Sequence, residues 1–291
     1  MKIFKKLFGG IDLTWKKLII FALLAGIYTA IMTLVPALKY TSFHDIAVSY
    51  EVWILFGIII IINSKSAKDS ALKCFTFFLI SQPLVYLIQV PFIKEGFEIF
   101  RYYNYWFIWT LATIPMGYIG YQLKKNKWWS LLILTPILLF LGIHYYEYLK
   151  ELIYDFPYHL ITILFCLITL LIYPICIFKN KKIKKIGLAI SILIITISTI
   201  LAISYKYSYK TSILISNDSN NISFDDSYKV YMEDSKLGNV YIEYEEEIDE
   251  YVVNAEFTRT GITTLILEDS EGNKTLLELE VDIGSFEINK K

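Results

Sequence analysis

Three histidines, His44, His144 and His159, are all that this 291-residue chain holds, and carboxylates cluster around them in sequence. Asp45 and Glu51 follow the first. Glu147 lies three residues beyond His144, so on a continuing helix the two share a face. Asp155 precedes His159 by four, with Pro157 between them, so Asp155 can fall outside the helix that follows. Glu151 sits in the same stretch. Imidazoles and carboxylates converging from helix ends suit either a divalent cation such as zinc or a proton-linked acid–base site. The metal candidates are His44, His144, Glu147, Asp155 and His159. The simpler reading is that polar side chains gather at helix ends because water is there.

No other constellation carries chemistry. The chain has no P-loop, dinucleotide fingerprint, nucleophile elbow, zinc-protease motif or kinase set, so no catalytic residue, no cofactor-binding residue and no resident cofactor is expected. Cys74, Cys166 and Cys176 lie in apolar runs without metal-type spacing and read as buried thiols. The basic runs lack base-stacking context, which argues against nucleic acid. An acidic run at Glu243, Glu245, Glu246, Glu247, Asp249 and Glu250 lacks calcium-loop spacing and reads as a solvated loop.

What positions the histidines is a set of membrane spans. Hydrophobic residues make up 55% of the chain, aromatics 16%, and the mean hydropathy is +0.48, which no ordinary soluble domain shows. Seven apolar stretches are long enough to cross: residues 18–38, 46–63, 71–92, 103–123, 128–148, 158–178 and 186–204. The last holds eleven Ile or Leu and no charge, and covers about 28 Å as a helix. The second is the shortest, with Glu51 near one end.

Charge orders these spans. Sixteen lysines fall in alternate segments, at 2–17, 65–73, 124–127 and 179–185, against Lys39, Lys94, Arg101 and Lys150 in the others. The positive-inside rule then puts the N-terminus in the cytoplasm, all three histidines at the outer edge, and everything after Ser204 outside. Residues 1–17 read as a basic amphipathic segment on the inner leaflet rather than a cleavable signal. Ala22, Gly26 and Ala30, and again Gly187 and Ser191, form small-residue faces for helix packing within the bundle. Gln82 and Gln89 share one face of the third span, which should point inward, where amides find partners.

After Ser204 the pattern changes. Residues 1–204 carry 20 Lys/Arg against 9 Asp/Glu, whereas 205–291 carry 8 against 19. Following a linker at 205–210, residues 211–291 alternate in short runs at 212–215, 228–232, 240–244, 250–257, 263–267 and 275–281. Turn signals lie at 217–221, 238–239, 261 and 272–273. The segment Glu268-Asp269-Ser270-Glu271-Gly272-Asn273-Lys274 predicts a compact hairpin loop. These features predict a small antiparallel β-sandwich.

The run from Glu250 to Lys274, with Tyr251-Val252-Val253, Arg259-Thr260-Gly261 and the loop just quoted, resembles the closing strands of bacterial Ig-like repeats. The Cys-Trp-Cys marks of true immunoglobulin domains are absent. The whole chain resembles multi-pass membrane proteins of low-GC Gram-positive bacteria, which implies an envelope location and no particular chemistry. The expected molecule is a seven-helix transmembrane bundle displaying an extracytoplasmic Ig-like β-sandwich. Its expected partners are the lipid bilayer and an envelope protein bound through 211–291.

Overall fold

The computed structural model describes every residue except 1, 40, 155, 207, 212, 213, 217–223, 283 and 291. The chain divides into two compact units, Met1–Leu152 with Phe156–Ile203, and Ile153–Asp155 with Ser204–Lys291. The first is helical and the second is built of strands.

A six-residue helix α1 (Lys2–Leu7) opens the helical unit. Then come α2 (Trp15–Leu34), α3 (Ser42–Val48), α4 (Tyr50–Asn63), α5 (Ala67–Gln89), α6 (Tyr103–Gly120), α7 (Trp128–Tyr154), α8 (Leu160–Ile177) and α9 (Lys181–Ser204). Local chemistry starts them where apolar periodicity begins. The Thr14 hydroxyl accepts from Lys17 N at the head of α2, Ser66 from Asp69 N before α5, and Asn180 from Lys182 N before α9. Five of these helices, α2, α5, α7, α8 and α9, are long and apolar enough to cross a membrane. A sixth crossing is reached if α3 and α4, bent by 52° at their junction, count as one. The remaining rod, α6, runs over the fourth expected span but spends Asn104 and five Tyr or Trp within its 18 residues.

The helical unit is apolar outside as well as inside. Leu24, Ile192, Leu193, Leu201 and Ile203 face outward, the last 70% exposed. Ser70, Ser81, Thr110, Ser130, Thr162 and Ser191 are buried. Such an apolar exterior is stable against acyl chains and not against water. Inside, small residues let backbones meet. A Cβ on Gly26 would stand 2.8 Å from Ser81 O on α5, and Gly187 faces Pro174 of α8. Hydroxyls also bridge helix pairs: Ser70 donates to Gly117 O between α5 and α6, Ser191 to Leu170 O between α9 and α8, and Ser198 to Gly142 O between α9 and α7. The small-residue faces thus pack within the molecule.

The lysine-bearing segments meet at one end of this unit. There Lys124 Nζ donates to Ser64 O, Tyr121 Oη to Lys65 O, Lys73 Nζ to Leu13 O, and Lys179 N to Asn126 Oδ1. The first residues differ from the expected surface helix. After Leu7 the chain turns inward and buries Phe8 and Leu13, because Asn63 accepts from Ile11 N and donates to Leu7 O. Phe8 then meets Tyr173 edge-on.

Among the described residues the second unit has two antiparallel four-stranded sheets. Its strands are β1 (Tyr209–Lys210), β2 (Ile215–Ser216), β3 (Lys229–Met232), β4 (Gly238–Glu245), β5 (Glu250–Phe257), β6 (Gly261–Glu268), β7 (Lys274–Asp282) and β8 (Ser285–Lys290). In one sheet β1 and β2 pair along one side of β5 and β4 along the other; the second runs β3-β6-β7-β8. Alternate residues, among them Val253, Ala255, Phe257, Leu265, Leu267, Leu277 and Leu279, form one buried apolar cluster.

Two boundaries are corrected. The linker expected at 205–210 ends in β1, since Tyr209 and Lys210 register against Phe257 and Glu256. A last strand, β8, was not expected from its sequence; Gly284, at φ 77°, supplies the turn that folds it onto β7. The expected turn at 217–221 lies outside the described residues.

Candidate functional site

The histidines and their carboxylates lie where α3, α4, α7 and α8 approach one another. Asp45 stands in the first turn of α3, where the helix N-terminus favours a negative charge. Its Oδ2 accepts from Thr162 Oγ1 at 3.0 Å and lies 2.8 Å from His159 Nδ1. His159 is the residue before α8 and has φ 62°, a left-handed conformation uncommon for a side-chain-bearing residue. Carboxylates flank both ring nitrogens, because Glu151 Oε2 is 3.3 Å from Nε2. That arrangement fixes the ring in an otherwise disfavoured backbone setting.

The second pair sits deeper. Glu51 is in the first turn of α4, just past the break at Ser49, and is completely buried. Its Oε1 lies 3.0 Å from His144 Nδ1 on α7, and Glu147 Oε2 is 3.8 Å from the same nitrogen. Among the described residues neither Glu51 oxygen has a well-aligned hydrogen bond, so the imidazole is its main electrostatic partner. The rings of Phe140, Tyr50 and Tyr148 surround His144, with centroids 4.5, 6.0 and 6.5 Å away. Tyr148 is also 5.4 Å from the His159 ring and so stands between the two pairs.

Twelve residues of helix, about 18 Å of rise, separate Glu51 from Asn63 at the lysine end. The break at Ser49 places a separate helical piece, Ser42–Val48, before it. A fully buried carboxylate is costly unless paired, and a Glu–His pair can share or pass one proton.

Of the expected ligands, His144 and Glu147 share a face of α7, whereas His159 stands against Asp45 and Glu151, which were not in that set. His44 is half-buried and makes no ion pair among the described residues. Asp155 lies outside the described residues. Among the described residues no group of three or more His, Cys, Asp or Glu side chains is arranged to hold a metal ion. Thr162 and Tyr148 escaped the sequence reading, although Thr162 follows His159 at helical spacing.

Gln82 is buried, and its Nε2 has no hydrogen-bond partner among the described residues. Gln89 turns back to donate to Val85 O. In the acidic run, Glu243 accepts from Asn254 Nδ2. No family model matches the chain, and no curated protein or solved structure is similar to it.

Proposed function

We propose that this chain is a multi-pass protein of the bacterial cell membrane that displays a small Ig-like β domain outside and works as an interaction or sensing component. The carrying observation is the segregation of charge along the helical unit, with lysine-bearing segments gathered at one end and the histidine–carboxylate pairs away from it. Under the positive-inside rule that polarity supports seven crossings, a cytoplasmic N-terminus and an external tail. On this reading α6 is the remaining crossing, its Tyr and Trp residues seated at the interfaces.

The strand orders support the Ig-like assignment. β2-β5-β4 in one sheet and β3-β6-β7 in the other repeat the B-E-D and C-F-G orders of immunoglobulin-type sandwiches. Such modules bind partners or act as spacers, and here the partner is a protein of the envelope. The test is a reporter joined after Lys210. Alkaline phosphatase is active there and green fluorescent protein dark; the opposite pattern overturns the reading.

One observation favours a second reading, a transporter or transporter subunit. Glu51 lies at a break between two helical pieces and is paired with an imidazole inside the bundle, the setting of proton-coupled sites. The two separate by deletion. Removing residues 206–291 abolishes an interaction role and spares transport, whereas Glu51→Gln does the reverse.

A further inference from the structure

We propose that the open groove between β3 and β4 receives an extended, lysine-bearing strand of a partner polypeptide. The proposal rests on reading the β domain as an interaction module, and it names the partner's chemistry. The groove, of 530 Å³, is lined by Tyr228, Tyr231, Tyr241, Tyr244, Tyr251 and Glu243. Tyr241 and Tyr244 are 45% and 47% exposed, so their rings already face an incoming chain.

Both flanking strands are sheet edges. Among the described residues β3 pairs with β6 alone and β4 with β5 alone, so each has one unpaired side of backbone donors and acceptors. An unpaired edge beside aromatic pockets is the arrangement that captures an extended peptide as an added strand. The backbone supplies affinity, and alternate side chains of the guest meet the tyrosines.

Charge selects the guest. Asp226 and Glu243 line the groove against Lys229, and the turn joining β4 to β5, beyond Tyr244 and Tyr251 of the lining, carries Glu246, Glu247 and Asp249, the last accepting from Tyr244 Oη. An acidic strand or an anionic lipid surface is repelled by this rim, and a cationic strand is drawn to it. The domain already makes the required contact with its own lysine. Lys274 Nζ stands 5.8 Å from the Tyr231 ring centroid and 3.3 Å from Glu268 Oε2, which also accepts from Tyr231 Oη. A guest lysine beside Tyr241 and Glu243, which share one face of β4, would repeat that trio of ring, carboxylate and ammonium.

The test uses the full chain in non-ionic detergent and a fluorophore-labelled peptide of five Lys-Thr repeats, read by anisotropy. Two further peptides carry Glu in place of Lys, or N-methyl groups on every threonine. Saturable binding of the first is expected, about tenfold weaker for the N-methylated peptide and for Tyr241→Ser/Tyr244→Ser, and absent for the Glu peptide. Equal binding of the N-methylated peptide, unchanged binding by the variant, or no saturation with the first peptide overturns the proposal. Any of these, with alkaline phosphatase still active after Lys210, leaves external display standing and removes only the groove.

Discussion

The Glu51 carboxylate, shielded entirely from solvent, lies 3.0 Å from His144 Nδ1, and this contact ties the break in the α3–α4 segment to the middle of α7. Removing one partner leaves the other buried and uncompensated. His144→Ala should cost about 3–5 kcal/mol, and Glu51→Leu/His144→Leu much less than the two single losses combined. Reversible unfolding in mixed micelles measures the cycle. Additive losses would show that the pair is not coupled.

The seam between α2 and α5 tolerates no added atom at Gly26, where a Cβ would meet the Ser81 carbonyl and Leu84 Cδ2 at 2.8 and 3.1 Å. Gly57 on α4 has nothing within 4 Å of the same position. Gly26→Ala should therefore destabilise by about 1–3 kcal/mol, while Gly57→Ala is neutral or gains up to about 1 kcal/mol. The same unfolding assay compares them, and equal behaviour would contradict the close approach of α2 to α5.

In the β domain, Asp269 organises the loop between β6 and β7. Its carboxylate accepts from Asn273 Nδ2 and from the backbone N–H groups of Glu271 and Asn273. The Asn273 side-chain contact first, and these N–H groups with it, hold its carboxyl below the ordinary range. A depressed acid stabilises the folded loop above its unfolded pKa of about 3.9 and loses that contribution as pH falls through the lower folded value. Asp269→Ala should reduce hydrogen-exchange protection of the 268–274 backbone at neutral pH. The gap from wild type should close as the solution is acidified below about pH 4. A gap that widens with acid would contradict the assignment.

Much of this molecule is legible in its sequence because its strongest signals are long and redundant. Seven apolar runs, regularly spaced lysines and period-two strands each repeat over many residues, so most helical positions and β3 to β7 follow directly. The misses are short or three-dimensional. β1 and β8 exist because neighbouring strands offer them an edge, which no local pattern declares. The inward turn after Leu7 depends on Asn63, more than fifty residues away. Sequence could gather His144, His159, Asp45 and Glu51 near one end of the bundle. It could not assign which carboxylate meets which imidazole, since that depends on the 52° bend at Ser49 and on the packing of α4 beside α7.

On the proposed topology the lysine end of the bundle is cytoplasmic and the β domain external. Single cysteines placed at Lys125 and at Glu247, in a chain freed of Cys74, Cys166 and Cys176, test it in intact cells with a membrane-impermeant maleimide. Glu247→Cys should be labelled, and Lys125→Cys only after lysis. Labelling of Lys125→Cys in intact cells, with Glu247→Cys protected, would contradict it.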